Sequence, residues 1–481
     1  MHDRVPRTHC VFWKRPMLDT VLLFVLMTQI VIFVYFLLLN GTYTFFTVIS
    51  FRDILRRKIF GSRFRLNQTL TTSFYRPISM IVPAYNEEAT IVSSIRSQLA
   101  LHYPEYEIII VNDGSTDATL ERLIRAFELV EVDKPVKLDV FHRPIRTMYL
   151  SLLYPNLVLV DKENGGKYDA INCGINVSSY PLFCVVDADS LLEYDSLVRA
   201  GSLFSQDKEV VAVGGTVRPL NGCEVVNGQV SRVATPATWI EMFQCVEYTR
   251  GFLAGRSAWN LFRSLLIISG AFGIFRKDIV IKIGGYRRTV GEDMDLVVRM
   301  HRYCIDHKIS YKILSIPDPI CWTQVPHDWK SLFKQRNRWH RGLIDVLWHN
   351  KTMLFNPKYK NVGLFGMSYF LFVEALGPLI EMFGYIALIV FYAFALIDRE
   401  NMLLFFLFTF LWGSYITLSA IILDNFLYRR YSSLKDLLRL SLFGVIESFG
   451  YRQMITVERF SATFQFWRKG WGKVKRKEIH K

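Results

Sequence analysis

Two carboxylates separated by one alanine, Asp187-Ala188-Asp189, follow the apolar run Phe183-Cys184-Val185-Val186. Such a run reads as a strand buried on both faces, and ligands of open α/β sheets sit outside the carboxyl ends of the strands. Carboxylates delivered there make a hard, oxygen-rich site suited to Mg2+ or Mn2+, ions that commonly accompany phosphates. Taken alone, an Asp-x-Asp is equally a solvated turn. Upstream, Gly165-Gly166-Lys167 joins glycines, which permit close backbone approach, to a lysine that can offset phosphate charge. Downstream, Gly291-Glu292-Asp293-Met294-Asp295 opens a helix whose apolar face includes Leu296, Val297 and Met300. Acids in a first turn ordinarily just stabilise the helix. In Gln335-Arg336-Asn337-Arg338-Trp339, residues Gln335, Arg338 and Trp339 share one helical face. The plain alternative for that stretch is a basic amphipathic helix lying on anionic lipid.

These residues need elements to hold them. Ile78–Pro83 reads as a buried strand, followed by Ala84-Tyr85-Asn86-Glu87-Glu88 with Asn86 as helix N-cap. A second strand, Tyr106–Val111, ends in Asn112-Asp113-Gly114-Ser115-Thr116-Asp117 and opens another helix. Leu157–Val160 is a short strand, Tyr168–Val177 a helix leading to the Asp187 strand, and Val210–Val217 a further strand. A long helix is expected over Glu241–Arg256, and Ser269-Gly270-Ala271-Phe272-Gly273 is a glycine-lined bend where an acceptor could approach. Strand, acid-bearing turn and helix recurring in order predict an α/β fold with a mostly parallel sheet.

Thr20–Phe51 is 32 residues without a charge, more than the roughly 20 that cross a hydrocarbon core. Asn401–Leu423 is also uncharged, whereas Phe365–Ile397 is interrupted by Glu374, Pro378 and Glu381. Leu440–Ile455 carries Glu447, Arg452 and Gln453 and reads as interfacial or re-entrant. Arg52–Arg65 holds six cations and one aspartate, and Arg468–Lys481 seven cations and one glutamate, placing both on the cytoplasmic side. The formal charge of +15 is thus a membrane signature, and no nucleic-acid partner is expected. Seven cysteines without CxxC pairs fit reduced thiols, not a disulfide framework or a zinc site.

Pro83-Ala84-Tyr85-Asn86-Glu87, Asn112 to Asp117, Gly165-Gly166-Lys167 and Asp187-Ala188-Asp189 stand in the order and spacing of family 2 glycosyltransferases with the GT-A fold. The chain resembles that family in detail over about residues 75 to 345. The resemblance implies that Tyr85 and Asp113 contact a nucleotide base, with Glu87 beside it, and that Lys167 reaches the diphosphate. It further implies Asp187 on the ribose side, Asp189 as ligand of Mg2+ or Mn2+, and Asp293 as catalytic base next to Glu292, with Asp295 structural. The Gln335 to Trp339 motif resembles that of the processive members: hyaluronan, chitin, cellulose and poly-N-acetylglucosamine synthases. By that likeness Trp339 stacks on the acceptor sugar near Gly270. Gln335, Arg336 and Arg338 then belong to the donor site, the arginines holding diphosphate charge. The absence of a cyclic-dinucleotide-binding domain after the spans, and of a close match to the gating loop, disfavours cellulose synthesis under that control.

The expected layout is a tail (1–17), a transmembrane helix (18–51), a basic linker (52–75) and a cytoplasmic GT-A domain (76–350). An interfacial helix (351–377), two transmembrane helices (378–424), interfacial or re-entrant helices (425–460) and a basic cytoplasmic tail (461–481) follow. The expected protein is a multi-pass cell-membrane enzyme. It moves sugars from a nucleotide-diphosphate donor to a growing glycan, among membrane lipids and with room for a secretion or accessory subunit. The rival expectations are single-sugar transfer to a lipid-phosphate carrier and a non-catalytic nucleotide-sugar-binding scaffold.

Overall fold

The computed structural model describes residues 14–68, 75–226, 228–428, 430–431 and 433–467. The basic tail Arg468–Lys481, used above to orient the chain, lies outside the described residues, as do residues 1–13 and 69–74.

Four parallel strands form the centre of a ten-stranded sheet: β1 (Ile78–Ala84), β2 (Tyr106–Asn112), β5 (Leu157–Lys162) and β6 (Leu182–Val186), ordered β5-β2-β1-β6. Their continuous apolar sequences follow from burial on both faces. Ile78, Met80 and Val82 join Ile108, Ile110, Leu182 and Cys184 in one layer, while Ile81, Ile109, Val111, Phe183 and Val185 face the other. The first layer is closed by the helix Ile91–Leu99, through Ile91 and Ile95, and the second by Lys167–Val177, through Ile171 and Ile175.

The sheet is more mixed than expected. At one edge β3 (Leu129–Val132) and β4 (Ile145–Ser151) run antiparallel. On the other side β11 (Phe272–Arg276) lies antiparallel between β6 and β8 (Val210–Pro219). Beyond them come β12 (Lys312–Thr323), parallel to β8, and the two-residue β7 (Leu191–Leu192). The hairpin of β9 (Glu224–Val226) and β10 (Gln229–Arg232) stands apart. The reversal at β11 matters for the site. Its first residue, Phe272, pairs with Val186, the last of β6, so Gly270 is delivered to the same edge as Asp187.

Asn86 does not cap a helix. The helix begins at Ile91, after Thr90, and Asn86 sits in a left-handed turn with φ of 56°. The helix over 241–256 is α-helical only from Trp239 to Arg250 and continues as a π-helical turn, Gly251–Arg256.

Three helices among the described residues are long and apolar enough to cross a membrane: Asp19–Asp53, Val362–Ala393 and Arg399–Tyr428. Two of them differ from the expected bounds. The first belongs to one unbroken helix, Lys14–Gln68, because the basic stretch after Phe51 is rich in good helix formers. The second starts well before 378; π-helical turns from Val362 lead to a bend at Leu376, just ahead of Gly377-Pro378. Leu434–Ile446 and Tyr451–Thr463 are short helices. The α/β unit is bound to this helical part by buried ion pairs. Arg218 of β8 pairs with Asp424, and Arg250 and Arg452 both pair with Glu447, which also accepts from Thr417 at 2.9 Å.

Candidate active site

The carboxyl ends of β1, β2, β5 and β6 lead into turns that are laced together. Asn86 accepts from the Thr116 N–H at 2.8 Å and its own N–H donates to Ser115 Oγ at 3.0 Å. The Glu87 N–H donates to Thr119 Oγ1 at 2.9 Å, and Thr90 Oγ1 donates to the Glu87 carboxylate at 3.1 Å. These bonds join the first two turns into one rim, on which Tyr85 stands exposed.

Asp113 lies beneath that rim, 3% exposed. One carboxylate oxygen accepts from the Gly165 N–H at 2.9 Å and from Lys162 Nζ at 2.9 Å; the other accepts from the Gly166 N–H at 2.7 Å. Asp113 therefore shapes the glycine turn. Gly166 has a φ of 94°, and a Cβ on Gly165 would fall 2.4 Å from the Asp169 carboxyl, so neither position admits a side chain without rearrangement. Lys162, which the motif reading passed over, is fully buried and bridges Asp113 to Asp169 at 2.5 Å. Burial pulls its pKa down, but the two carboxylates more than offset that, and the net shift is upward. A buried lysine at a strand end has no signature of its own; its meaning comes from acids that only the fold brings beside it.

Across the glycine turn, Lys167 Nζ lies 2.5 Å from Asp187 and 3.9 Å from Glu292. A Cβ on Gly270 would touch Lys167 Nζ at 3.0 Å and lie 4.0 Å from Asp293 Cβ. Lys167, Asp187, Gly270, Glu292 and Asp293 are thus one cluster, drawn from four separate motifs. Asp189 is buried next to it, 2% exposed. Burial raises the Glu292 carboxyl to about 7; Lys167 opposes this, Asp293 adds to it, and Arg338 opposes again. Arg338 therefore faces the cluster. Asp295 points elsewhere, fully buried between Arg287 at 2.6 Å and Arg299 at 2.7 Å.

The helix Trp329–His349, capped by Asp328, carries the last motif. Arg336 does not join Arg338. It pairs with Glu247 at 2.8 Å, which also accepts from Tyr451 at 2.9 Å, and its guanidinium stacks 4.3 Å over the Trp339 ring. Trp339 is thereby held from behind and is itself 42% exposed. Gln335 Oε1 is buried with no hydrogen-bond partner among the described residues. This helix meets the Glu292–Asp306 helix where Gly342 abuts Gly291: a Cβ on Gly342 would fall 2.9 Å from the Gly291 backbone.

Among the described residues no group of three or more His, Cys, Asp or Glu side chains is poised for a metal. Asp187 and Asp189 offer two carboxylates, the donor set of an ion that completes its shell with phosphate oxygens and water.

The helical part forms a partly open cavity of about 980 Å³ lined by all three apolar helices, including Tyr43, Glu374 and Phe405, and reaching Trp259 and Arg256.

Comparison with known proteins identifies relatives of the chain. The chain is 30% identical over 270 residues to a poly-beta-1,6-N-acetyl-D-glucosamine synthase of Staphylococcus epidermidis, covering 56% of this chain and 55% of the relative. It is 28% identical over 298 residues to the probable glycosyltransferase YdaM of Bacillus subtilis, covering 61% of each. The match thus spans little more than half the length of these relatives. A mannosyltransferase from Pyrobaculum calidifontis, solved with GDP-Man and Mn2+, aligns over 89% of this chain and 99% of its own at 17% identity. Its TM-score of 0.47 is too low to bear on function. The family profile for glycosyl transferase family 2 matches residues 79–284, from β1 through the Lys167, Asp187 and Gly270 cluster. With a second profile, glycosyl transferase family group 2, matching half of the chain over residues 182–423, this protein belongs to glycosyl transferase family 2.

Proposed function

We propose that the protein is a membrane-integrated, inverting glycosyltransferase that extends a polysaccharide from a nucleotide-diphosphate sugar, processively and with export of the product. The observation that carries the reading is the convergence of Lys167, Asp187, Glu292 and Asp293 around Gly270, at the carboxyl ends of the central strands. The donor is a UDP-sugar, and the name of the staphylococcal relative makes UDP-N-acetylglucosamine the first to try.

Asp293 takes the proton of an acceptor hydroxyl as that oxygen attacks the anomeric carbon, a base-assisted step worth roughly 10²–10⁴-fold. The new C–O bond forms as the bond to the diphosphate breaks from the opposite side, so the configuration inverts and no covalent enzyme intermediate is needed. Lys167 and Arg338 face the cluster with the charge to hold a diphosphate. Asp189 would hold Mg2+ or Mn2+, whose charge offsets that of the leaving group, with Asp187 on the ribose side. Trp339 offers a flat face to the acceptor sugar, worth on the order of 1–3 kcal/mol. The apolar helices with their central cavity support export, and the basic flank Arg52–Arg65 supports a cytoplasmic α/β unit.

The test is to incubate purified protein with a panel of nucleotide sugars and Mn2+ and to size the product. Polymer is expected. Trp339→Ala should shorten it while donor hydrolysis persists, and Asp293→Asn should stop transfer. A wild-type product limited to one sugar on a lipid overturns the processive reading in favour of single-sugar transfer.

A further inference from the structure

Arginines are the commonest charged residues around the cavity, and all but one of them are matched. Arg250 and Arg452 share Glu447, and Arg459 pairs with Glu374 at 2.9 Å. The exception is Arg256. It forms no ion pair among the described residues, and its Nη1 is buried without a hydrogen-bond partner. The guanidinium is fixed in place by stacking 3.8 Å over the Phe252 ring. It closes the π-helical turn Gly251–Arg256, a departure from α geometry often found at functional sites.

Its position is as informative as its lack of a partner. Arg256 lines the cavity, and Asp293 is near enough for its charge to oppose the lowering of the Arg256 pKa. Burial lowers its pKa to about 10, with Asp293 and Tyr248 opposing, so it stays charged at neutral pH. A buried guanidinium donor left unsatisfied is costly unless something else completes it. Lys167 and Arg338 already face the donor side; Arg256 faces the cavity.

Resting on the function proposed above, we infer that Arg256 is an acceptor-binding residue, donating from Nη1 to a hydroxyl or ring oxygen of the terminal sugar as that sugar lies between the cavity and Asp293. The remaining arginines of the cavity are ion-paired, two of them with Glu447 and one with Glu374, so Arg256 is the arginine there with a donor left for a sugar oxygen. The bond is charge-assisted, and its loss should weaken acceptor binding by about ten- to a hundredfold.

The experiment compares wild type, Arg256→Ala and Arg256→Lys, full-length in detergent, with UDP-N-acetylglucosamine, Mn2+ and a β-1,6-linked N-acetylglucosamine oligosaccharide as acceptor. Arg256→Ala should raise the KM for the oligosaccharide by about ten- to a hundredfold while the KM for the donor and the rate of donor hydrolysis stay within about twofold. Arg256→Lys, which keeps a donor and a charge, should recover part of the loss. Thermal unfolding of all three proteins separates a binding defect from misfolding, and a titration of the oligosaccharide against each folded protein should rank them in the same order. An unchanged oligosaccharide KM in Arg256→Ala overturns this assignment alone. A shift confined to the donor KM, or to inhibition by UDP, also overturns it and assigns Arg256 to the leaving group. Wild type that neither elongates nor binds the oligosaccharide overturns the function proposed above and this assignment with it.

Discussion

Replacing Lys162 by methionine keeps the length of the side chain and removes the one cation that Asp113 and Asp169 share. All three side chains are essentially buried, with contacts of 2.9 and 2.5 Å, so water cannot step in for the lost charge. Breaking a buried ion pair by deleting one partner costs about 3–5 kcal/mol. For an α/β unit of this size each kcal/mol lowers Tm by about 2 °C, so Lys162→Met should melt roughly 6–10 °C below wild type. The glycine turn should loosen as well, because Asp113 is then free to reorient away from the Gly165 and Gly166 N–H groups. Nucleotide affinity should therefore fall together with stability. Pairing Lys162→Met with Asp169→Asn removes one stranded charge and should restore a sizeable part of the melting temperature. The assay is thermal unfolding of the detergent-solubilised protein, with UDP binding measured on each variant. A Tm within 2 °C of wild type for Lys162→Met would refute the view that this lysine neutralises a buried acid pair.

Three further outcomes follow from the site. Asp189→Asn should reduce Mn2+-stimulated sugar transfer by at least about a hundredfold with little change in Tm; transfer that persists in excess chelator would remove the metal from the mechanism. Glu292, raised to about 7 against an ordinary value of 4.5, binds an extra proton in the folded state between those values. Its contribution to stability is thus full below about pH 4.5 and is lost as pH rises through about 7, on the order of 3 kcal/mol across that window. Glu292→Gln should accordingly gain in Tm relative to wild type from pH 5 to pH 8, and a constant difference between the two proteins would contradict the assignment. Gly342→Ala forces a methyl to within 2.9 Å of the Gly291 backbone and should cost about 1–3 kcal/mol, with a fall in kcat because the Glu292-Asp293 turn is pushed aside; wild-type kcat would disprove that coupling.

The central strands were legible because burial on both faces leaves an unmistakable apolar run, and the acid-bearing turns because each run stops abruptly at polar residues. The cluster of Lys167, Asp187, Glu292 and Asp293 was legible as separate motifs and Gly270 as a bend near the acceptor, but not that Gly270 would lie against Lys167. That depends on β11 running against β6, and a five-residue strand does not reveal its direction. Asn86 misled because an asparagine before two acids resembles an N-cap, while its bonds to Ser115 and Thr116 lie 29 and 30 residues away in sequence. Arg336 and Arg338 look equivalent in the motif, yet two positions on a helix differ by about 200° of rotation, which sends one to Glu247 and the other toward Glu292. Arg256 was hidden because it sits in what reads as an ordinary helix, and its isolation shows only when its neighbours are known.

The ion pairs of Arg218 with Asp424 and Arg250 with Glu447 have a practical bearing on any soluble fragment. Truncation after residue 350, the natural choice for crystallising the α/β unit alone, would discard both carboxylates while keeping both guanidiniums. β8 would then carry an unpaired guanidinium where the whole chain has an ion pair, and so would the end of the Trp239–Arg250 helix, from which the Arg256 turn continues. Donor affinities measured on such a fragment would describe a perturbed protein. A fragment bearing Arg218→Met and Arg250→Met would come nearer to the parent than the unmodified excision, which suits nanodisc or detergent preparations of the whole chain to quantitative enzymology and leaves excised domains for nucleotide soaking.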